Sequence, residues 1–150
     1  MQKPSALDRF LAAQHDHYAR ALAELRRGRK QSHWMWFVLP QMRGLGRSDT
    51  AWEYGIASRE EAEAYLQHPL LGARLRECVA AISAHATRSA AEILGPEDAV
   101  KFRSCLTLFE TVAPAPADFG APLKQFYNDE RCAQTLKLLD QRDQVTRTST

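Results

Sequence analysis

Between residues 7 and 25, Leu7, Phe10, Leu11, Gln14, Tyr18, Ala21, Leu22 and Leu25 fall three or four positions apart. That spacing sets all eight on one side of a 3.6-residue helix, and so wide a side has to be covered by other elements. Pro4 and Ser5, with Asp8 three residues after Ser5, form a capping-box-like start for it. Gly28 suits the left-handed position just past its end. A chain whose first quarter is one amphipathic helix is pushed towards helix-on-helix packing.

The remainder repeats this pattern in shorter pieces. Ser48 or Asp49 can cap a short helix that runs through Trp52 and Tyr54 to Gly55. Ser58 and Glu61 make a full capping box before a helix holding Tyr65 and Leu66. Pro69 fits the first turn of the next helix, with Leu71, Leu75, Cys78, Val79 and Ile82 as its buried stripe. A second box, Ser89 and Glu92, precedes a short turn of helix that stops at Gly95. Pro96 then begins the most apolar helix, with Phe102, Cys105, Leu106, Phe109 and Ala113 on one face. Pro114 and Pro116 end it. Phe119, Leu123 and Phe126 mark another short helix, and Arg131 to Leu139 a last one, through Leu136 and Leu139. From about Gln141 the chain is polar and unpatterned and is expected to fray. No repeat or hairpin signal interrupts this series. The expectation is one all-α domain of seven or eight helices.

One stretch breaks the rhythm. Residues 28–48 read GRKQSHWMWFVLPQMRGLGRS. His33 to Leu39 is a nearly continuous apolar run ending at Pro40, too short for periodicity to separate helix from strand. If it is helical, Trp34 and Trp36 point about 200° apart, so one can be core while the other lines a pocket. The charge is uneven here too. Arg26, Arg27, Arg29, Lys30, Arg43 and Arg47 lie between Leu25 and Ser48, an interval without a carboxylate. The net charge is +2, so the rest of the chain carries −4. Arg26 and Arg27 suit a helix C-terminus, where cations complement the dipole. The others invite an anionic partner.

Other chemistry is thin. The three cysteines, Cys78, Cys105 and Cys132, include no C-x-x-C pair, which favours a reducing, cytoplasmic setting over disulfides or zinc. Cys78 and Cys105 sit on apolar stripes, and Cys132 is expected to be more exposed. His15 and His17 are two apart on a helix and face different ways, and His68 before Pro69 suits the start of a helix. No metal and no cofactor is expected. Gly44 and Gly46 lack the third glycine of a dinucleotide fingerprint and the Gly-Lys-Ser/Thr of a P-loop. No apolar run is long enough to span a bilayer.

The motif G-R-K-x-S-H-W-M-W-F-x-x-P-Q, continuing to G-L-G-R-S at Ser48, resembles the DUF1810 family. The likeness continues through Tyr54 to Ser58, the Glu-Ala-x-x-Tyr-Leu-x-His-Pro-Leu-Leu-Gly run ending at Gly72, Arg74 to Glu77, and Lys101 to Phe109. It covers most of residues 7–139. The resemblance implies a helical fold called Rv1873-like and a bacterial, cytoplasmic protein. It implies no established activity and no catalytic residues. Some members carry the label calpastatin, but calpastatin is a disordered repeat inhibitor, and this chain is compact and unrepeated. A typical member has Gly at the position of Asp129, where this chain departs.

The residues then support two functions. One is binding of a small anionic ligand, such as a nucleotide or phosphorylated metabolite, with His33, Trp36, Gln41, Arg43, Arg47 and Ser48 bordering the pocket. The alternative is a non-enzymatic protein-interaction domain using the same basic surface. Nucleic acid ranks last, because six basic residues fall short of a broad positive surface. A monomer is favoured. A concave pocket lined by residues 33–48 favours the first function and a flat apolar patch the second.

Overall fold

A computed structural model describes residues 6–148. Among them the chain forms α1 Asp8–Arg27, α2 Met35–Val38, α3 Asp49–Glu53, α4 Arg59–Gln67, α5 Leu71–Ser83, α6 Ala90–Leu94, α7 Pro96–Val112, α8 Ala117–Tyr127 and α9 Ala133–Thr148. These nine helices exceed the expected seven or eight, because short α2 forms within the ambiguous apolar run. The only extended pairing among the described residues is one parallel bridge between Met42 and Ile56.

The punctuation acts mostly as expected. Gly28 ends α1 at φ 79°, where its N–H bonds the carbonyl of Leu25. A Cβ there would also meet the His85 ring at 3.0 Å. The Ser48 and Ser89 hydroxyls accept from the N–H groups of Ala51 and Glu92, and only the second box is reciprocal. His68 Nδ1 accepts from the N–H groups of Leu70 and Leu71 at the start of α5. Ser58 caps α4 through the Glu61 N–H, but the box expected there is only half made. The Glu61 carboxylate instead accepts from Ala57 N–H at 3.0 Å and pairs with Arg9 at 2.8 Å. A cation brought by another helix wins over the local cap. The capping pair expected at Pro4 and Ser5 lies outside the described residues, and Leu7 before α1 makes no side-chain cap.

The core gathers on α7. Phe102, Cys105, Leu106, Leu108 and Phe109 are fully buried, as are Leu71, Leu75 and Phe10. Phe109 lies between Tyr65 of α4 at 5.4 Å and Phe119 of α8 at 5.9 Å. Phe10 meets Tyr65 edge-on at 5.1 Å, so Tyr65 stands between the two phenylalanines. The Tyr65 hydroxyl accepts from Gln14, which also donates to the Phe37 carbonyl. Thus Gln14, placed on the apolar side of α1, is a buried tie between α1, α2 and α4.

Two expectations at the C-terminal end change. α9 continues to Thr148 beyond Gln141, and Arg59 of α4 pairs with Asp143 at 2.9 Å. Charge pairing supports a stretch that lacks apolar pattern. Leu139 is buried, whereas Leu136 is exposed. Between α8 and α9, Asn128 and Asp129 both have positive φ, 53° and 64°. Asp129 therefore occupies a conformation that favours glycine.

Candidate functional site

The apolar run is organised by a carboxylate just outside it. Glu24 is buried near the end of α1 and accepts from the N–H groups of Gln31 and Ser32, the Ser32 hydroxyl and Trp34 Nε1. Burial pushes this carboxyl up, and the converging donors outweigh it, holding it at about 2. Trp34 is thereby fixed in the core. Two residues on, across the single turn of α2, Trp36 points away and stays partly exposed.

A second anchor comes from α7. Asp98, in its first turn, takes Lys30 Nζ at 2.8 Å on one oxygen and Lys101 Nζ at 3.0 Å on the other. Burial pushes the Asp98 carboxyl up, and the two ammonium groups more than reverse that shift, so it sits below its ordinary value. Lys30 also bonds the Ser32 carbonyl and lies over the Trp34 ring at 5.0 Å. Lys101 lies over the Trp36 ring at 4.5 Å. The two lysines differ in freedom, with side chains 8% and 26% exposed respectively.

Trp36 and Lys101 form a wall shared by two grooves. On one side a groove of about 300 Å³ is lined by Lys30, His33, Trp34, Met35, Phe37, Thr50 and Asp98 besides the wall. A depression of about 480 Å³ adjoins it over His33, Lys30, Lys101 and the start of α7, from Gly95 to Asp98. On the other side a groove of about 530 Å³ runs between Gln41, Leu45, Gly46 and the α7–α9 residues Glu97, Val100, Ser104, Cys132 and Gln134. Gly46 is required there, since a Cβ would stand 2.6 Å from that of Ala51 and 3.0 Å from the Trp36 ring tip.

The six residues expected at a pocket separate. His33, Trp36 and Gln41 line these grooves. His33 is exposed, with no partner among the described residues. Arg43, Arg47 and Ser48 line none of them. Arg43 Nε donates to the Trp52 carbonyl at 2.8 Å, and its guanidinium lies over the Trp52 ring at 4.8 Å. The Ser48 hydroxyl is engaged as the α3 cap. Arg47 is exposed beside Gly46, without an ion pair among the described residues. Asp98 and Lys101 are additions from a distant segment. Among the described residues, the carboxylates that pair with the basic stretch are Asp98, on Lys30, and Glu77, on Arg26 at 3.7 Å.

The thiols are also sorted. Cys78 and Cys105 are fully buried, and burial pushes both above their ordinary range. Cys132, expected to be more exposed, is buried too, but its side lines the larger groove. Burial pushes its thiol up, and the Ser104 hydroxyl together with the main-chain N–H groups of the first turn of α9 brings it below its ordinary value. No three metal-ligating side chains converge among the described residues, and no described helix is long and apolar enough to cross a membrane.

Comparison with known proteins fits this architecture. No curated protein sequence matches the chain. The crystal structure of the conserved hypothetical protein Rv1873 from Mycobacterium tuberculosis superposes with a TM-score of 0.89 at 48% identity, covering 92% of this chain and 99% of that one. The pattern of the family described as "Protein of unknown function (DUF1810)" matches residues 4–139. On both grounds the chain belongs to the DUF1810 family.

Proposed function

We propose that this protein binds a small anionic ligand bearing a flat ring, of the nucleotide or phosphorylated-metabolite class, across the wall made by Trp36 and Lys101. The supporting observation is that wall itself: an indole with an ammonium 4.5 Å from its centre, open to a groove on either side. Grooves of 300–530 Å³ are the size of small-molecule sites. An anion placed by His33 meets Lys101, which can leave Asp98 because its long side chain is partly exposed. Lys30 is held by Asp98, Ser32 and Trp34 and acts as a fixed background charge. Arg47, beside Gly46 and without an ion pair among the described residues, can reach a ligand that extends past the Trp36 ring tip.

Calorimetric titration with AMP at fixed ionic strength tests this. Lys101→Ala and Trp36→Ala are expected to weaken binding at least tenfold with native unfolding midpoints. Arg43→Ala should lower the midpoint with little change in affinity, because that guanidinium holds the α3 turn. Unchanged affinity in the first two variants would remove the proposal.

A second function, a non-enzymatic interaction domain, is favoured by a different observation. Trp52 is 56% exposed and carries Arg43 on its ring, an aromatic–arginine pair of the kind that anchors protein interfaces. Under that reading Trp52→Ala abolishes partner binding and leaves AMP binding intact.

A further inference from the structure

A largely buried residue opens its side-chain amide into the larger groove. Gln41 is only 6% exposed. Its main-chain carbonyl accepts from Ile56 N–H at 2.9 Å, but its side-chain amide makes no hydrogen bond among the described residues. The amide is not sealed in the core, since Gln41 lines the groove between Trp36 and Cys132. Solvent in the groove meets this amide, so its donor and its acceptor are available to a ligand that displaces that solvent. The neighbouring polar groups do not fill them. Ser104 Oγ bonds Cys132 Sγ at 3.3 Å, and Lys101 Nζ points to Asp98 at 3.0 Å rather than to the amide. Beside the amide the groove is lined by the Trp36 indole and the apolar side chains of Leu45 and Val100.

We propose that this groove takes a flat heteroaromatic ring whose edge sets a hydrogen-bond donor beside an acceptor, as an aminopurine edge does, with the ring against Trp36 and the edge on the Gln41 amide. A primary amide matches such an edge with two roughly parallel bonds, its N–H donating and its carbonyl accepting. The inference rests on the Trp36-centred site proposed above and names the part of the ligand that lies across the wall from the anion. The ring lies in the Gln41 groove, and the phosphate lies over Lys101 and His33.

Three probes separate the parts: adenosine, which has the ring and no anion; ribose 5-phosphate, which has the anion and no ring; and AMP, which has both. Titrated calorimetrically against the full chain, AMP should bind at least tenfold tighter than ribose 5-phosphate. Gln41→Leu should erase that difference, leave ribose 5-phosphate binding within twofold, and melt close to the wild-type temperature, because the amide makes no hydrogen bond to the described residues. Gln41→Glu keeps the shape and loses the N–H donor, so it should lose the preference as well. Carbamidomethylation of Cys132 by iodoacetamide gives an independent report. Saturating adenosine should slow it at least fivefold, with Cys78 and Cys105 as buried controls. Equal affinity for AMP and ribose 5-phosphate overturns the ring site while leaving the anion site standing. Adenosine binding without ribose 5-phosphate binding does the reverse. A melting temperature several degrees lower in Gln41→Leu with AMP affinity retained makes Gln41 structural and overturns the inference, as does adenosine binding without protection of Cys132 or failure of all three probes to bind.

Discussion

Four donors converge on the Glu24 carboxylate, two main-chain N–H groups, a hydroxyl and the Trp34 indole. This one residue fixes the turn that delivers Trp34 to the core and Trp36 to the surface. Its carboxyl is held at about 2 against an ordinary 4.5. A folded value below the unfolded one means the contribution is complete above pH 4.5 and is lost as pH falls towards 2. By linkage it is on the order of 3 kcal/mol. In urea unfolding across pH 2–7, Glu24→Gln should be less stable by about 2–3 kcal/mol at pH 7, with a flatter slope below pH 4.5. Some slope remains, because Glu61 and Asp98 are also held low by their cations. An unchanged slope would show that Glu24 is solvated in solution. A second residue-scale expectation concerns Asp98. Asp98→Ala leaves Lys30, 8% exposed, without its counter-ion. It should lower the unfolding free energy by about 3 kcal/mol, the lower end for breaking a buried pair.

Elements differ in how openly the chain declares them. α1, α5 and α7 are legible because each holds an apolar side over three or more turns, and Gly28, Ser89 and Pro96 mark their neighbouring boundaries by local stereochemistry. α2 is not legible, since four residues cannot display a period, and its packing is set by Glu24 and Gln14 from another helix. α9 beyond Gln141 is missed for a similar reason: the Arg59–Asp143 contact spans most of the chain and leaves no local pattern. The same limit explains Glu61, which the local code assigns to a cap and the fold assigns to Arg9. Two substitutions test these elements. Phe109→Ala, which opens a hole between Tyr65 and Phe119, should cost about 3–5 kcal/mol in urea unfolding. A loss below about 1 kcal/mol would mean that α7 is not central. Asp129→Gly should raise the unfolding free energy slightly, by no more than about 1 kcal/mol, because relief of the positive φ is partly offset by loss of the 2.9 Å contact to Arg131.

On the scale of the whole molecule, the candidate site is a meeting of two segments. Residues 30–46 supply Lys30, His33, Trp36 and Gln41, and the start of α7 supplies Asp98 and Lys101, with Cys132 closing one end. The first segment is legible in the sequence as an unusual basic and aromatic run. The second is not, because Asp98 and Lys101 look like ordinary first-turn charges until α6 and α7 fold back on the run, where Lys30 N–H bonds the Ile93 carbonyl at 2.7 Å. Charge counting along the chain also overstates the free cations, since Arg43 braces α3 and Lys30 is paired. What remains among the described residues is an indole wall with one partly exposed lysine, one imidazole without a partner and one amide open to the groove. The three tryptophan indole N–H signals distinguish this arrangement from its rivals in a single titration with AMP, followed by proton–nitrogen NMR. The account predicts that the Trp36 indole signal shifts in a saturable way. The Trp34 signal, bonded to Glu24, and the Trp52 signal, under Arg43, should stay in place. No movement of the Trp36 signal at millimolar AMP, or movement of Trp52 alone, would contradict it.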